Sequence, residues 1–569
     1  MKHVKSIFLT ALATFAFVAC NNDEVVETMS PGNVPTGEET YASFNFRVEG
    51  NKTDTRVGML PGVAGGTDAI VADGRLLIFD DASGALLNNE ELTVSGPSAN
   101  LTVKTTSGNR RIYIITGTKG KTQITGKLAG LAVNTSTLAD FYALMSDGQY
   151  TGGADTDMGD GFKELPVADK FVMSNVADIS AVKTLQPNIS KEQSSTGDGE
   201  DTNVNRFDFN VLRAVARGNL KIELKQTSLT TADGVFTLKE TATYGVRNVN
   251  RGTLYVQQFI NDKQTAHVND HSAEAGLRPF AAFYHAFDET SADDLKKPAT
   301  YNPYYFGGYD IAGSDAVSTT MTSNSTGATA GGSVYFSENS NNNQVRGNTT
   351  YYGITTQVAS IEKSNIAKSI TYDMDLLQIT SEAADGDYNN TSGDKSFWYL
   401  REIPAKIVPM LAPPVRRVFT DEGVAFNAVT IILKNTPIAL TTTGFTDTNY
   451  TSSQLKASYS EAVNPQGEGT LALNAADLAV INRYLGYYKN GNSYYRLNLY
   501  ETTTDGTRRN LVRRNHNYQA TVTSFATIGD PTEEDLDKDT EKPVDADVTN
   551  VTAIIKVVEW HNVDMSDDL

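Results

Sequence analysis

Residues 41–48 alternate: Ala42, Phe44, Phe46 and Val48 are apolar, and Tyr41, Ser43, Asn45 and Arg47 stand between them. A period of two is the mark of a strand with one face buried. The pattern recurs along the chain. Arg75–Phe79 and Arg111–Thr116 read as buried strands. Residues 207–217 read as another, and Leu220, Ile222 and Leu224 then alternate with Lys221 and Glu223. Val429–Lys434, Tyr495–Tyr500 and Tyr518–Phe525 follow, and Val551–Trp560 is apolar on both faces. A helical period is rarer. Leu138, Phe141, Tyr142 and Met145 share one face of a short helix, and Asn474 could cap another carrying Leu478, Ile481 and Leu485.

Polar stretches separate these elements. Residues 21–40 read as a flexible tether, and 49–66 as a Gly-containing loop that holds Arg56. Residues 194–205 read as an exposed loop. Residues 314–350 are rich in Ser, Thr, Asn and Gly, and fit either a surface loop or irregular strands. Residues 529–547, with Pro531, Pro543 and many Asp and Glu, read as a linker. A domain boundary is expected near Arg213–Gly218. The whole predicts an all-β chain of β-sandwich domains with short helices.

Length and charge narrow the function. At 569 residues the chain has room for two to four domains. A net charge of −20 argues against nucleic acid and anionic lipid surfaces as partners. The single cysteine, Cys20, excludes an internal disulfide. It follows Lys2, Lys5 and an apolar run from Ile7 to Val18 that is too short to span a bilayer as a helix. Val-Ala-Cys at the end of that run resembles a bacterial lipobox. The expectation is cleavage before Cys20, lipidation of its thiol and anchoring at a membrane.

Motifs for catalysis or cofactors are incomplete. Gly120-Lys121-Thr122 follows a strand, but Ile115 stands where a phosphate loop needs glycine, so a basic surface turn is expected. Ser453 and Lys456 have the spacing of an acyl-transfer pair without its other motifs. Asp155, Asp157 and Asp160 lack the late glutamate of a calcium loop. His267 and His271 lie four apart in a segment without helical period. The expectation is a protein that is not an enzyme and holds no metal or other cofactor.

Several features in order carry a resemblance. A lipobox precedes a tether and a first strand, then an Arg-bearing loop. Phe171–Ser174 reads Phe-Val-Met-Ser, Arg213–Ile222 reads Arg-Ala-Val-Ala-Arg-Gly-Asn-Leu-Lys-Ile, and Arg513–Tyr518 reads Arg-Arg-Asn-His-Asn-Tyr ahead of a strand. An acidic Pro-containing stretch leads to a last strand ending at Trp560. In this order they resemble the fimbrillins of the Bacteroidales, the type V pilins, and among them the shaft subunits of short Mfa-type fimbriae.

The resemblance implies two transthyretin-like β-sandwich domains and a particular assembly. Residues 1–19 would be the signal peptide and 20–56 a lipidated propeptide with the first strand. Residues 57–215 and 216–528 would be the N- and C-terminal domains, 529–548 the linker and 549–569 a donor strand. The precursor would sit at the outer membrane by its lipid until an Arg-specific protease cuts after Arg56, or alternatively Arg47. Ala42, Phe44, Phe46 and Val48 would then leave a groove. In it, Val551, Ala553, Ile555 and Val557 of the next copy would take their place, with Ile554, Val558 and Trp560 on the other face. Implied partners are further copies of the chain and anchor and tip fimbrial subunits, in an extracellular fimbria supporting adhesion and biofilm formation. A tip or accessory adhesin, or a glycan-binding surface lipoprotein, is the alternative.

Overall fold

The computed structural model describes residues within 37–48, 71–146, 165–259, 280–281, 317–323, 332–401, 418–420, 429–441 and 485–559, with shorter breaks inside several of these spans. The described residues are mostly strands, with few and short helices, so the fold is all-β.

The N-terminal strands are β1 (Glu39–Val48), β2 (Val71–Asp80), β3 (Leu86–Gly96), β4 (Ser98–Thr106), β5 (Gly108–Thr116), β6 (Met145–Ser146), β7 (Met173–Ser174), β8 (Val182–Leu185) and β9 (Arg206–Arg213). Eight of them form one sheet in the order β3-β2-β5-β7-β9-β1-β4, with β8 also on β5. The chain's first strand is therefore interior, antiparallel to β4 and parallel to β9. Its alternation dictates this: Ala42, Phe44, Phe46 and Val48 all point into the core.

The chain leaves this sheet at Ala214 and Val215, both buried, and enters a second with β10 (Ala216–Leu224). That sheet runs Phe236–Leu238, Tyr351–Ile361, Thr241–Arg247, Val317–Ser323, β10, His516–Phe525, Val551–Glu559. Val334–Phe336 adds to β10, and Asn492–Asn498 adds to Tyr351–Ile361. Aromatic packing lines this sheet: Tyr495 meets Phe525 at 4.6 Å, and Phe236 stacks at 5.8 Å on Phe397 of a separate three-stranded sheet; the Phe397 ring in turn stacks on Tyr488 at 5.0 Å.

Several expectations change. The helix begun at Leu138 stops at Tyr142, and Met145 instead opens β6, which pairs with Thr253–Leu254. Its start is a capping box between Thr137 and Asp140, a local signal that the apolar spacing overlooks. Residues 194–205 are exposed over most of their length, as expected, with buried residues at the two ends. A helix spans Lys191–Ser195, and Ser194 and Asn205 are fully buried because Asn205 bonds to Gln186, Thr40 and Tyr41. Lys121 is buried rather than on a surface turn, since the turn leads into the helix Thr122–Ala129. Within 314–350, the described part holds two strands, a buried Ser337, Glu338 and Asn339 after the second, and a short 3-10 turn at Arg346–Asn348 that leads to buried Thr349 and Thr350. Of the helix expected after Asn474, Leu478 and Ile481 lie outside the described residues, but Leu485 opens the strand Leu485–Tyr488, paired with Phe397–Leu400, and so is not helical. Asp155, Asp157, Asp160, His267, His271, Ser453 and Lys456 also lie outside the described residues.

Candidate assembly groove and C-terminal strand

β1 is held along its length. Backbone ladders flank it on both sides, from Glu39 opposite Thr106 to Arg47 opposite Ser98, and from Ser43 opposite Arg206 to Val48 opposite Val211. At its start, the Tyr41 N–H donates to Ile189 O at 3.0 Å and the Thr40 hydroxyl to Gln186 O at 2.7 Å. On the core side Phe44 stacks on Phe207 at 6.2 Å and Phe46 on Phe209 at 5.7 Å. On the other face two β1 side chains converge on one carboxylate of β9. Asn45 Nδ2 donates to Asp208 Oδ1 at 3.1 Å, and the Arg47 guanidinium pairs with Asp208 Oδ2. Taking β1 away would uncover a row of backbone donors and acceptors, an aromatic floor and a carboxylate. Such an opening is a template for another strand.

Among the described residues the last strand, Val551–Glu559, lies at the edge of the second sheet of its own chain. It runs antiparallel to His516–Phe525, from Val551 opposite Phe525 to Glu559 opposite His516. Val551 and Ile555 are buried, and Ala553 and Val557 pack against the core in part. Ile554 is 59% exposed, so this strand is covered on one face only, unlike the two-sided burial that its sequence suggested. An edge position explains the difference: one partner strand and one packed layer leave the outer face to solvent. Val558 lies within the strand by its backbone. Trp560, Cys20 and Arg56 lie outside the described residues, while Arg47 stands inside β1, paired on both sides.

The segment before that strand is docked where it is described, and is not a free linker there. Asp530 and Tyr494 exchange backbone hydrogen bonds of 2.9 and 2.7 Å. Arg247 pairs with Glu533, while Leu536 is fully buried and its carbonyl accepts from Arg496 Nη1 at 2.8 Å and Arg346 Nη2 at 3.2 Å. Val544 is buried as well. Apolar residues among the acids thus overcome the repulsion expected from composition.

The Arg513–Tyr518 stretch joins the two sheets. Asn515 adopts the left-handed conformation at φ 58°, which asparagine tolerates better than most residues. Its N–H donates to Val215 O at 2.9 Å, and its Oδ1 accepts from Arg213 Nη1 at 2.9 Å. The Arg513 N–H donates to the Tyr518 hydroxyl at 2.7 Å, and that hydroxyl donates to Glu501 Oε1 at 2.7 Å. Burial first, and the Glu501 carboxylate next, hold the Tyr518 phenol well above its ordinary range. Arg514 Nε donates to Glu338 Oε2 at 2.9 Å, with Nη2 on Leu254 O at 2.6 Å. Asp208, Glu338 and Leu536 carry no local sequence signal, because each gains its role from a partner far away in the chain.

Residues 486–565 match the family described as major fimbrial subunit protein type IV, fimbrillin, C-terminal. The C-terminal part of the chain is therefore similar to the C-terminal part of the fimbrillins. The matched span holds the Arg513–Tyr518 motif and the last strand. Among solved structures, a fimbrilin (fimA) from Porphyromonas gingivalis W83 overlaps 95% of this chain and all of its own, at 10% identity and a TM-score of 0.39. The C-terminally truncated tip fimbrial protein Mfa3 from Porphyromonas gingivalis overlaps 91% of this chain and 99% of its own, at 10% identity and a TM-score of 0.32. None of the curated proteins matches the sequence.

Proposed function

We propose that this chain is a fimbrillin, and within that family a shaft subunit that polymerises by donor-strand exchange. Its lipoprotein precursor is anchored through Cys20, proteolysis after Arg56 releases the β1 segment, and the last strand of the next copy fills the opening. Supporting adhesion and biofilm formation is the role such a filament would serve. The observation behind this reading is the pairing of two features in one chain. An N-terminal strand is interior to its sheet yet contributed by a segment that a single cut detaches, and a C-terminal strand lies at an open edge with Ile554 uncovered. Residues 57–215 and 216–528 would form the two rod-building domains. A tip or accessory subunit that only receives a strand has no need of the last one.

Strand addition suits a shaft because its energy is spread along the interface. Burying about four apolar side chains contributes roughly 1.5–3 kcal/mol each. Ordering a strand costs about 1–2 kcal/mol per residue, so backbone pairing at a net ~0.5–1.5 kcal/mol per bond is needed as well. Removing Val551–Leu569 is expected to abolish the ladder of heat-sensitive oligomers on a denaturing gel. Because Val551 and Ile555 also belong to the subunit's own core, circular dichroism must accompany that variant. A free peptide of residues 549–563 avoids the difficulty: in excess during assembly it should shorten the ladder. A ladder unchanged by both deletion and peptide overturns the proposal.

A further inference from the structure

The two strands that would exchange share a charge pattern as well as an apolar one. Arg47 is the only cation within Glu39–Val48, and Lys556 the only one within Val551–Glu559. When the inward residues Ala42, Phe44, Phe46 and Val48 are superimposed in order on Val551, Ala553, Ile555 and Val557, Lys556 falls on Arg47. We infer that Lys556 of the incoming strand takes over Asp208 from Arg47, and that this ion pair sets both the direction and the register of strand exchange. The inference rests on the donor-strand reading above and adds to it which residues align.

Other placements fail on residues already described. Shifting the strand two residues one way moves Lys556 to the position of Asn45, still beside Asp208, but carries Glu559 onto the site of Val48. That site is 1% exposed, and an unpaired carboxylate there is costly. A shift the other way takes Lys556 past Val48, out of the strand, and leaves Asp208 without a cation. Reversing the strand puts Lys556 on Ser43, whose site is 0% exposed and whose hydroxyl is engaged by Thr102. Only the parallel, unshifted placement keeps every charge of the donor off a buried site and returns a cation to Asp208. Arg47 itself is 43% exposed in its side chain, so its seat receives a lysine without stripping it of water.

Asn45 would be replaced by Ile554, which removes the amide that now bonds Asp208 and leaves Lys556 as the carboxylate's partner. Ile554 would then lie opposite Asn100 on β4, because Asn45 does so now. A one-pair slip would bring it opposite Thr102 or Ser98 instead.

The test is disulfide trapping in fimbriae assembled by cells that make the full-length chain. Ile554→Cys is combined in turn with Asn100→Cys, Thr102→Cys and Ser98→Cys. The expected result is inter-subunit cross-linking mainly through the 554–100 pair. Lys556→Glu should lower that yield roughly 5-fold, as for a partly exposed ion pair, in favour of slipped pairs. Asp208→Lys in the same chain should restore it. Should that variant not fold, Asp208→Asn, which can still accept from Asn45, should make the 554–100 yield insensitive to Lys556→Glu. Fimbriae dominated by the 554–102 or 554–98 pair, or unaffected by Lys556→Glu, overturn the register while leaving strand exchange standing. Fimbriae that form with no cross-link at any of the three positions overturn strand exchange itself.

Discussion

Arg514 and Glu338 form an ion pair in which both side chains are almost wholly shielded from water, at 0% and 1% exposure. The pair lies where the last part of the C-terminal sheet meets Leu254 and Tyr255, whose carbonyls Arg514 also engages. Thr253–Leu254 pairs with β6 and so reaches back to the N-terminal half. The arginine thus ties together segments some 260 residues apart.

Breaking this pair by removing one partner strands the other charge in a dry site. Glu338→Ala or Arg514→Ala should each cost about 3–5 kcal/mol in chemical denaturation. Replacing both at once should cost less than the sum of the two, because no orphan charge remains. A single variant losing under about 1 kcal/mol would show that water reaches the site.

Alkaline pH should unfold the protein through its tyrosines. Burial holds Tyr244 up to about 12 and holds Tyr352, Tyr488 and Tyr518 well above the ordinary value of 10.0. Their folded values are raised, so the stability they contribute is intact below pH 10 and lost as pH rises above it. There the unfolded chain releases protons that the folded chain retains. Denaturation midpoints should be level from pH 7 to about 9 and fall above about 10, with tyrosinate absorbance rising in step with unfolding. Full ionisation of these tyrosines in a folded protein would contradict the burial.

Maturation is predicted to leave Val57 as the first residue of assembled subunits. Arg47 is paired to β4 and β9, and a protease needs an extended, unpaired backbone to bind. N-terminal sequencing of purified fimbriae checks this. A start at Val48 would move the cut to Arg47, and a start at Cys20 would leave β1 in place.

Cys20→Ala should abolish incorporation of labelled palmitate and leave unprocessed precursor, since the chain's single thiol ends its single export-like segment. Labelled lipid on the variant would place the anchor elsewhere.

Much of the all-β architecture was legible in local pattern. The alternation of 42–48 matches a strand whose even residues are buried, and Tyr518–Phe525 lies within the strand His516–Phe525, because a half-buried strand imposes a period of two on its own residues. The tail's two apolar faces were equally visible, but which face is covered was not. Ile554 and Ile555 are adjacent and chemically alike, and only the edge position of the strand exposes the first and buries the second.

Sequence alone therefore determined that segments such as 42–48 and Tyr518–Phe525 are strands, and which of the 42–48 positions face the core. These depend on neighbours a few residues away. The tertiary structure decided that the chain's first strand lies inside a sheet, that Asp208 answers to Arg47, that Glu338 meets Arg514, and that acidic residues after Gly529 are docked through Leu536. Those relations join residues from tens to hundreds of positions apart. A buried charge or an interior strand is defined by what surrounds it in space, and no local period records that.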